Sequence, residues 1–177
     1  MILWDAQTRP KMKLGVGQQG GSLVAWGAEG RPAAVLGATG TGGVVGVAAR
    51  DGKLRAAMGV DEEAGDVRVL GPDGKTRSVM TAENDAGIFV AAGPDGSARA
   101  ALGVEDGVGF LNIYGADGKL RGYLGVDASG GEIRLYDHEG TLRARLAVGP
   151  EGSWLIPQDE ENSRPSTTVP SSSEENP

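Results

Sequence analysis

Apolar residues recur along this chain with two periods at once, every second residue over short runs and every 22 residues over most of its length. Blocks of 22 residues begin at Leu14, Leu36, Met58, Met80, Leu102, Leu124 and Leu146. The first six need no insertion or deletion. Residues 1–13 read as the second half of a preceding block, with Trp4 aligned to Tyr114 and Tyr136, and Asp5 to Asp137. Position ten of each block is always apolar (Leu23, Val45, Val67, Phe89, Leu111, Ile133, Leu155), and position twelve nearly so. Farther on, apolar or small residues alternate again, as in Leu120, Gly122, Leu124 and Val126. Period-two alternation places every second side chain on one face of an extended strand. Each block therefore predicts two strands, each with one apolar face.

An acidic residue followed by glycine separates the two strands, at Glu29-Gly30, Asp51-Gly52, Asp73-Gly74, Asp95-Gly96, Asp117-Gly118 and Glu139-Gly140. This pair predicts a tight turn, because glycine takes a positive φ without a Cβ clash. A two- or four-residue hairpin there sets position twelve against position twenty-one, and position ten against the next block's first residue. All these positions are apolar or small. On the other face the same register sets Tyr114 across from Arg121 and Tyr136 across from Arg143. The fold class is all-β, with strand-turn-strand repeats forming either a β-solenoid or a stacked array of β-hairpins. The constant period favours the solenoid, in which each coil must match its neighbours. The Asp-Gly chemistry favours an antiparallel meander.

Composition narrows the class. Thirty-one glycines and only 5 % aromatics suit thin β layers more than a deep core, and a formal charge of −7 argues against a nucleic-acid partner. The absence of cysteine excludes disulfides and thiolate metal sites. No run of eighteen apolar residues predicts a membrane span. Residues 1–14 have no apolar stretch of the kind a signal peptide needs. Residues 1–156 read as the β-repeat domain. Residues 157–177, rich in Pro, Ser and Glu, read as a disordered acidic tail that shields the last strand edge.

Several motifs are weighed against the repeat. Gly37, Gly40 and Gly43 resemble a dinucleotide-binding loop, but Val44, Val45 and Val47 follow as β-formers where that chemistry needs a helix. His138 occupies a turn position held elsewhere by Arg50 and Pro72, which marks a solvent-facing tip. The cluster from Asp61 to Asp66 lacks the ligand spacing of a calcium-binding loop, although a column of turn carboxylates offers weak Ca²⁺ sites. No catalytic constellation, cofactor site or dedicated metal site is assigned, so the reading is non-enzymatic. Arg55, Arg77, Arg99, Arg121 and Arg143 form a column beside the acidic turns. With the recurring aromatics they define a candidate surface binding strip, Trp26, Tyr114, Arg121, Tyr136 and Arg143, suited to a polysaccharide.

The segments Leu135 to Leu146 and Ile113 to Leu124 resemble the YD repeats of the RHS and teneurin type, in which Tyr-Asp precedes a glycine-basic-leucine turn. Tyr136-Asp137 matches that pair fully, whereas Tyr114-Gly115 and Trp26-Gly27 depart from it. In repeat period alone the chain is also similar to curli subunits, whose internal Ser, Gln and Asn ladder it lacks. These resemblances imply repeated β-hairpins or coils and transfer no residue roles. The functional expectation is a structural, self-associating protein: a rod, a filament subunit or a fibre-like spacer in an extracellular or virion-associated setting. An unfinished block at the N-terminal end gives such a protein an edge on which to add a neighbour or close a homo-oligomer. The alternative is a module binding carbohydrate or a cell-surface polymer through the aromatic and arginine strip.

Overall fold

The computed structural model describes residues 1–62, 64–83, 86–150 and 152–157; Pro157, expected to open the tail, ends the last strand, and the rest of the expected tail lies outside the described residues. The chain forms two units, Met1–Ala98 and a second that begins at Arg99. Every regular element among the described residues is a strand. The first unit holds β1 (Ile2–Trp4), β2 (Pro10–Gly17), β3 (Gly20–Trp26), β4 (Pro32–Ala38), β5 (Gly43–Ala48), β6 (Leu54–Val60), β7 (Ala64–Leu70), β8 (Thr76–Glu83) and β9 (Ala86–Ala92). The second holds β10 (Ala98–Glu105), all but its first residue, and β11 (Val108–Tyr114), β12 (Leu120–Asp127), β13 (Gly130–Tyr136), β14 (Leu142–Gly149) and β15 (Gly152–Pro157).

Within each unit the strands lie in chain order and every pairing is antiparallel. Of the two arrangements open in the sequence, the chain adopts the hairpin meander, and equivalent strands of successive blocks do not stack directly in parallel as a solenoid would have them. The physical consequence is a doubled spacing. Equivalent residues sit two strands apart, about 9.6 Å, instead of the ~4.8 Å of one strand step, which relieves the like-charge crowding of the acidic and basic columns.

The two strands of a block are joined by a three-residue loop closed by a glycine in the left-handed region. In the fifth block Gly115 N–H donates to the Lys119 carbonyl at 2.9 Å and Gly118 N–H to the Gly115 carbonyl at 3.1 Å. Gly118 has φ of 77°. This is a type I turn followed by a glycine bulge, one of the favoured hairpin connections. A second irregularity follows it. Ile113 pairs with Gly122 but Tyr114 pairs with Leu120, so Arg121 is left as an extra, bulged residue. The same skip bulges Lys11, Ala33, Arg55, Arg77 and Arg143.

The bulge corrects one sequence expectation. Tyr114 and Tyr136 face Leu120 and Leu142, and they are not register partners of Arg121 and Arg143. The reason is the length of the loop: three residues plus a bulge shift the register by one on the turn side only. Beyond the bulge the expected pairings hold, with Leu23 opposite Leu36 and Ala25 opposite Ala34.

Candidate functional site

Alternation sorts the strand residues of each unit onto two unlike faces. On the first, position ten of one strand meets position one of the next in an unbroken ladder. In the first unit it runs Leu14, Leu23, Leu36, Val45, Met58, Val67, Met80 and Phe89. In the second it runs Leu102, Leu111, Leu124, Ile133, Leu146 and Leu155. Small and larger apolar residues mix in the rows beside it: Ala25, Ala34, Val47, Ala56, Val69 and Ala91 on one side, Val16, Gly21, Gly43, Val60 and Gly65 on the other. The corresponding rows in the second unit hold Ile113, Gly122, Leu135 and Ala144 on one side and Gly109, Val126, Gly131 and Val148 on the other. None of these positions carries a charge. They are also uncovered: Leu36 is 53 % exposed, Met80 57 %, Leu102 56 % and Leu124 46 %.

The opposite face is mixed and better covered. Ala101 and Ala147, the only buried hydrophobic residues among those described, both belong to it. In the first unit it carries small apolar residues such as Val24, Val35 and Ala57, with an Asp66–Arg68 ion pair of 2.5 Å. In the second it carries a denser polar cluster. Glu132 accepts from Arg145 Nε at 2.9 Å and also pairs with Arg134. The Arg134 guanidinium lies 5.2 Å from the centre of the Tyr123 ring, within cation–π range. Trp154 closes the far side of a cleft of about 120 Å³ that Tyr123, Glu132 and Arg145 also line. Asn112, beside Tyr123 across β11 and β12, keeps its Oδ1 buried and without a hydrogen-bond donor among the described residues.

The turn edge is laced by charge. Each bulged arginine turns back to the aspartate of its own turn: Arg55 to Asp51 at 2.7 Å, Arg77 to Asp73 at 2.8 Å and Arg121 to Asp117 at 2.6 Å. A bulge re-aims its side chain, and here it aims a cation at the turn. The carboxylate's other oxygen accepts the N–H two residues on, from Lys53, Lys75 and Lys119 respectively. These bonds hold all three carboxyls below the usual range: the N–H of Lys53 or Lys119 leads for Asp51 and Asp117, and the Arg77 side chain for Asp73. In two turns the aspartate moves two residues earlier, to Asp5 and Asp137, and does the same work. Asp137 Oδ1 accepts from the N–H groups of Glu139 and Thr141, each at 2.9 Å, and Oδ2 accepts from Arg143 Nε at 2.7 Å. Asp5 likewise pairs with Arg9 at 2.9 Å and with the bulged Lys11 at 3.3 Å. Where the bulged residue is Ala33, its turn has no aspartate.

In three turns a further cation reaches the next turn. Lys53 donates to the Pro72 carbonyl, Lys75 to the Asp95 carbonyl and Lys119 to the Glu139 carbonyl, at 3.1–3.4 Å. Arg121 adds a bond to the His138 carbonyl at 2.9 Å.

The binding strip expected from sequence is thus divided between two settings. Trp26, Tyr114 and Tyr136 are half-buried beside the bulges, while Arg121 and Arg143 are engaged by Asp117 and Asp137. The aromatic and arginine cluster on the polar face instead joins Tyr123, Arg134, Arg145 and Trp154. Its sequence signal is shared parity on neighbouring strands, which the 22-residue columns obscure because these residues differ from block to block. His138 sits at a turn tip, with its side chain 86 % exposed. Among the described residues no three His, Asp or Glu side chains converge as a metal site would require. No protein-family model matches this chain, and no curated protein matches it.

Proposed function

We propose that this chain is a non-enzymatic structural protein that self-assembles, serving as a rod, a filament subunit or a fibre-like spacer. The observation that carries this reading is the apolar face, charge-free over every full strand of a unit and left exposed among the described residues. A contiguous apolar surface of this extent marks an interaction surface. The repeat supports the same reading, since blocks that contact only their chain neighbours can be added in series. Size-exclusion chromatography with light scattering, followed by negative-stain microscopy, tests it. The expected result is a discrete oligomer or a filament. A monomer of 18.1 kDa at every concentration tried would count decisively against it.

A second reading, a module for carbohydrate or another cell-surface polymer, draws support from the Tyr123, Glu132, Arg134 and Trp154 cluster. Aromatic faces beside charged hydrogen-bonding groups are the chemistry that sugar rings call for. A glycan array answered by the native chain, and silenced by Tyr123→Ala, would favour it.

A further inference from the structure

We infer that the apolar face of each unit is covered by the same face of a second copy of this chain. The inference rests on the self-assembly reading above and assigns it a surface. Charge is the first argument for that occupant. No strand position on this face is ionised, so setting it against itself brings no like charges together and strands no ion away from water. A partner recognised through charge would find nothing to hold.

Shape is the second argument. The central row is a ridge of larger apolar residues, and in the rows beside it in the second unit the glycines stand across from bulkier ones, Gly122 from Ile113 and Leu135, Gly131 from Val126 and Val148. A facing copy can set the bulkier residues of one sheet over the glycines of the other. Large against small is how two sheets interdigitate at about 10 Å separation. The ridge also repeats every two strands, and a second copy carries that period by construction.

Area is the third. From strand spacing and rise, the face measures roughly 700 Å² across β2–β9 and roughly 500 Å² across β10–β15, against about 800 Å² per partner in a standard interface. The face of the first unit alone comes close to that figure. From Gln158 to Pro177, Val169 is the only apolar side chain apart from prolines, a composition poorly matched to such a face.

The test places glutamate on the ridge, as Leu102→Glu with Leu124→Glu, and reads mass by light scattering and strand content by circular dichroism. The expected result is an assembled native chain and a folded variant reduced to 18.1 kDa. A folded variant that assembles like the native chain overturns the face-to-face contact and leaves self-assembly standing through other surfaces, such as the strand edges. A monomeric native chain overturns both. Should the variant lose its fold, the cysteine-free chain allows a second measurement. Ala56 and Ala57 are consecutive in β6 and point to opposite faces. A short bismaleimide should link copies of Ala56→Cys at least tenfold more efficiently than copies of Ala57→Cys. Equal linking, or none, overturns the inference.

Discussion

The turn aspartates show how much one side chain organises here. A single carboxylate takes two roles at once, accepting backbone N–H groups with one oxygen and a bulged or neighbouring cation with the other. Asp5 and Asp137 are the fullest cases, and both are held down from 3.8 to about 2. For Asp137 the leading cause is the Thr141 N–H, with Arg143 and the Glu139 N–H adding to it against partial desolvation. For Asp5 the Arg9 N–H leads, and the Arg9 and Lys11 side chains add to it. A depressed folded-state value means that the stabilisation is complete above the unfolded value of 3.8 and is lost as pH falls toward about 2. Thermal unfolding should therefore be flat with pH down to about 4 and weaken steadily between about 4 and 2. Carboxyl NMR titrations should give midpoints near 2 for Asp5 and Asp137. In Arg143→Ala the Asp137 midpoint should rise only part of the way to 3.8, because the largest contribution comes from backbone. A full return to 3.8 would mean that the guanidinium, and not the turn, sets it.

At the scale of the hairpin, the turn glycine is the clearest requirement. Gly30, Gly52, Gly74, Gly96, Gly118 and Gly140 all have φ between 73° and 91°. In the turn after β1 the same position is Thr8, at φ of 57°, a β-branched residue in a region that disfavours it. Thr8→Gly should stabilise the fold by about 1 kcal/mol, and Gly118→Ala should cost about as much. Chemical denaturation of the two variants checks both signs. These turns, the strands and the apolar ladder were legible in the sequence, because period two and Asp-Gly are local signals. The meander itself was less so: alternation says which residues share a face but not which strand supplies the hydrogen bonds. The bulge was hidden for a subtler reason. Arg121 falls on the alternation expected of an ordinary strand residue, so Tyr114 and Arg121 looked opposed. The signal was present within the repeats all the same, since a cation at the bulge accompanies an aspartate in the turn and Ala33 accompanies none. The Tyr123, Glu132 and Arg134 cluster was harder to foresee, because no column of the repeat contains it.

At the scale of the molecule, contacts inside each unit run between chain neighbours, and each block meets the next through the same register. Stability is then a sum over blocks and their junctions. Excising Met58–Val79, one whole period from within the first unit, should leave a folded chain. Its far-UV spectrum per residue and its dispersed amide NMR resonances should match those of the native protein. Collapse to an unfolded chain would mean that the blocks are not interchangeable. The ladder supplies the reason to expect success, because Val45 would pair with Met80 in place of Met58, apolar for apolar. The same property gives the sequence a simple grammar. An in-frame gain or loss of one block changes the extent of the sheet by about 9.6 Å and preserves which side is oily and which is wet. A single inserted residue within a strand would exchange the two sides for the rest of that strand. Such a chain can be lengthened or shortened by genetic duplication and deletion as a ruler is, in fixed graduations, with no new folding problem to solve at each step.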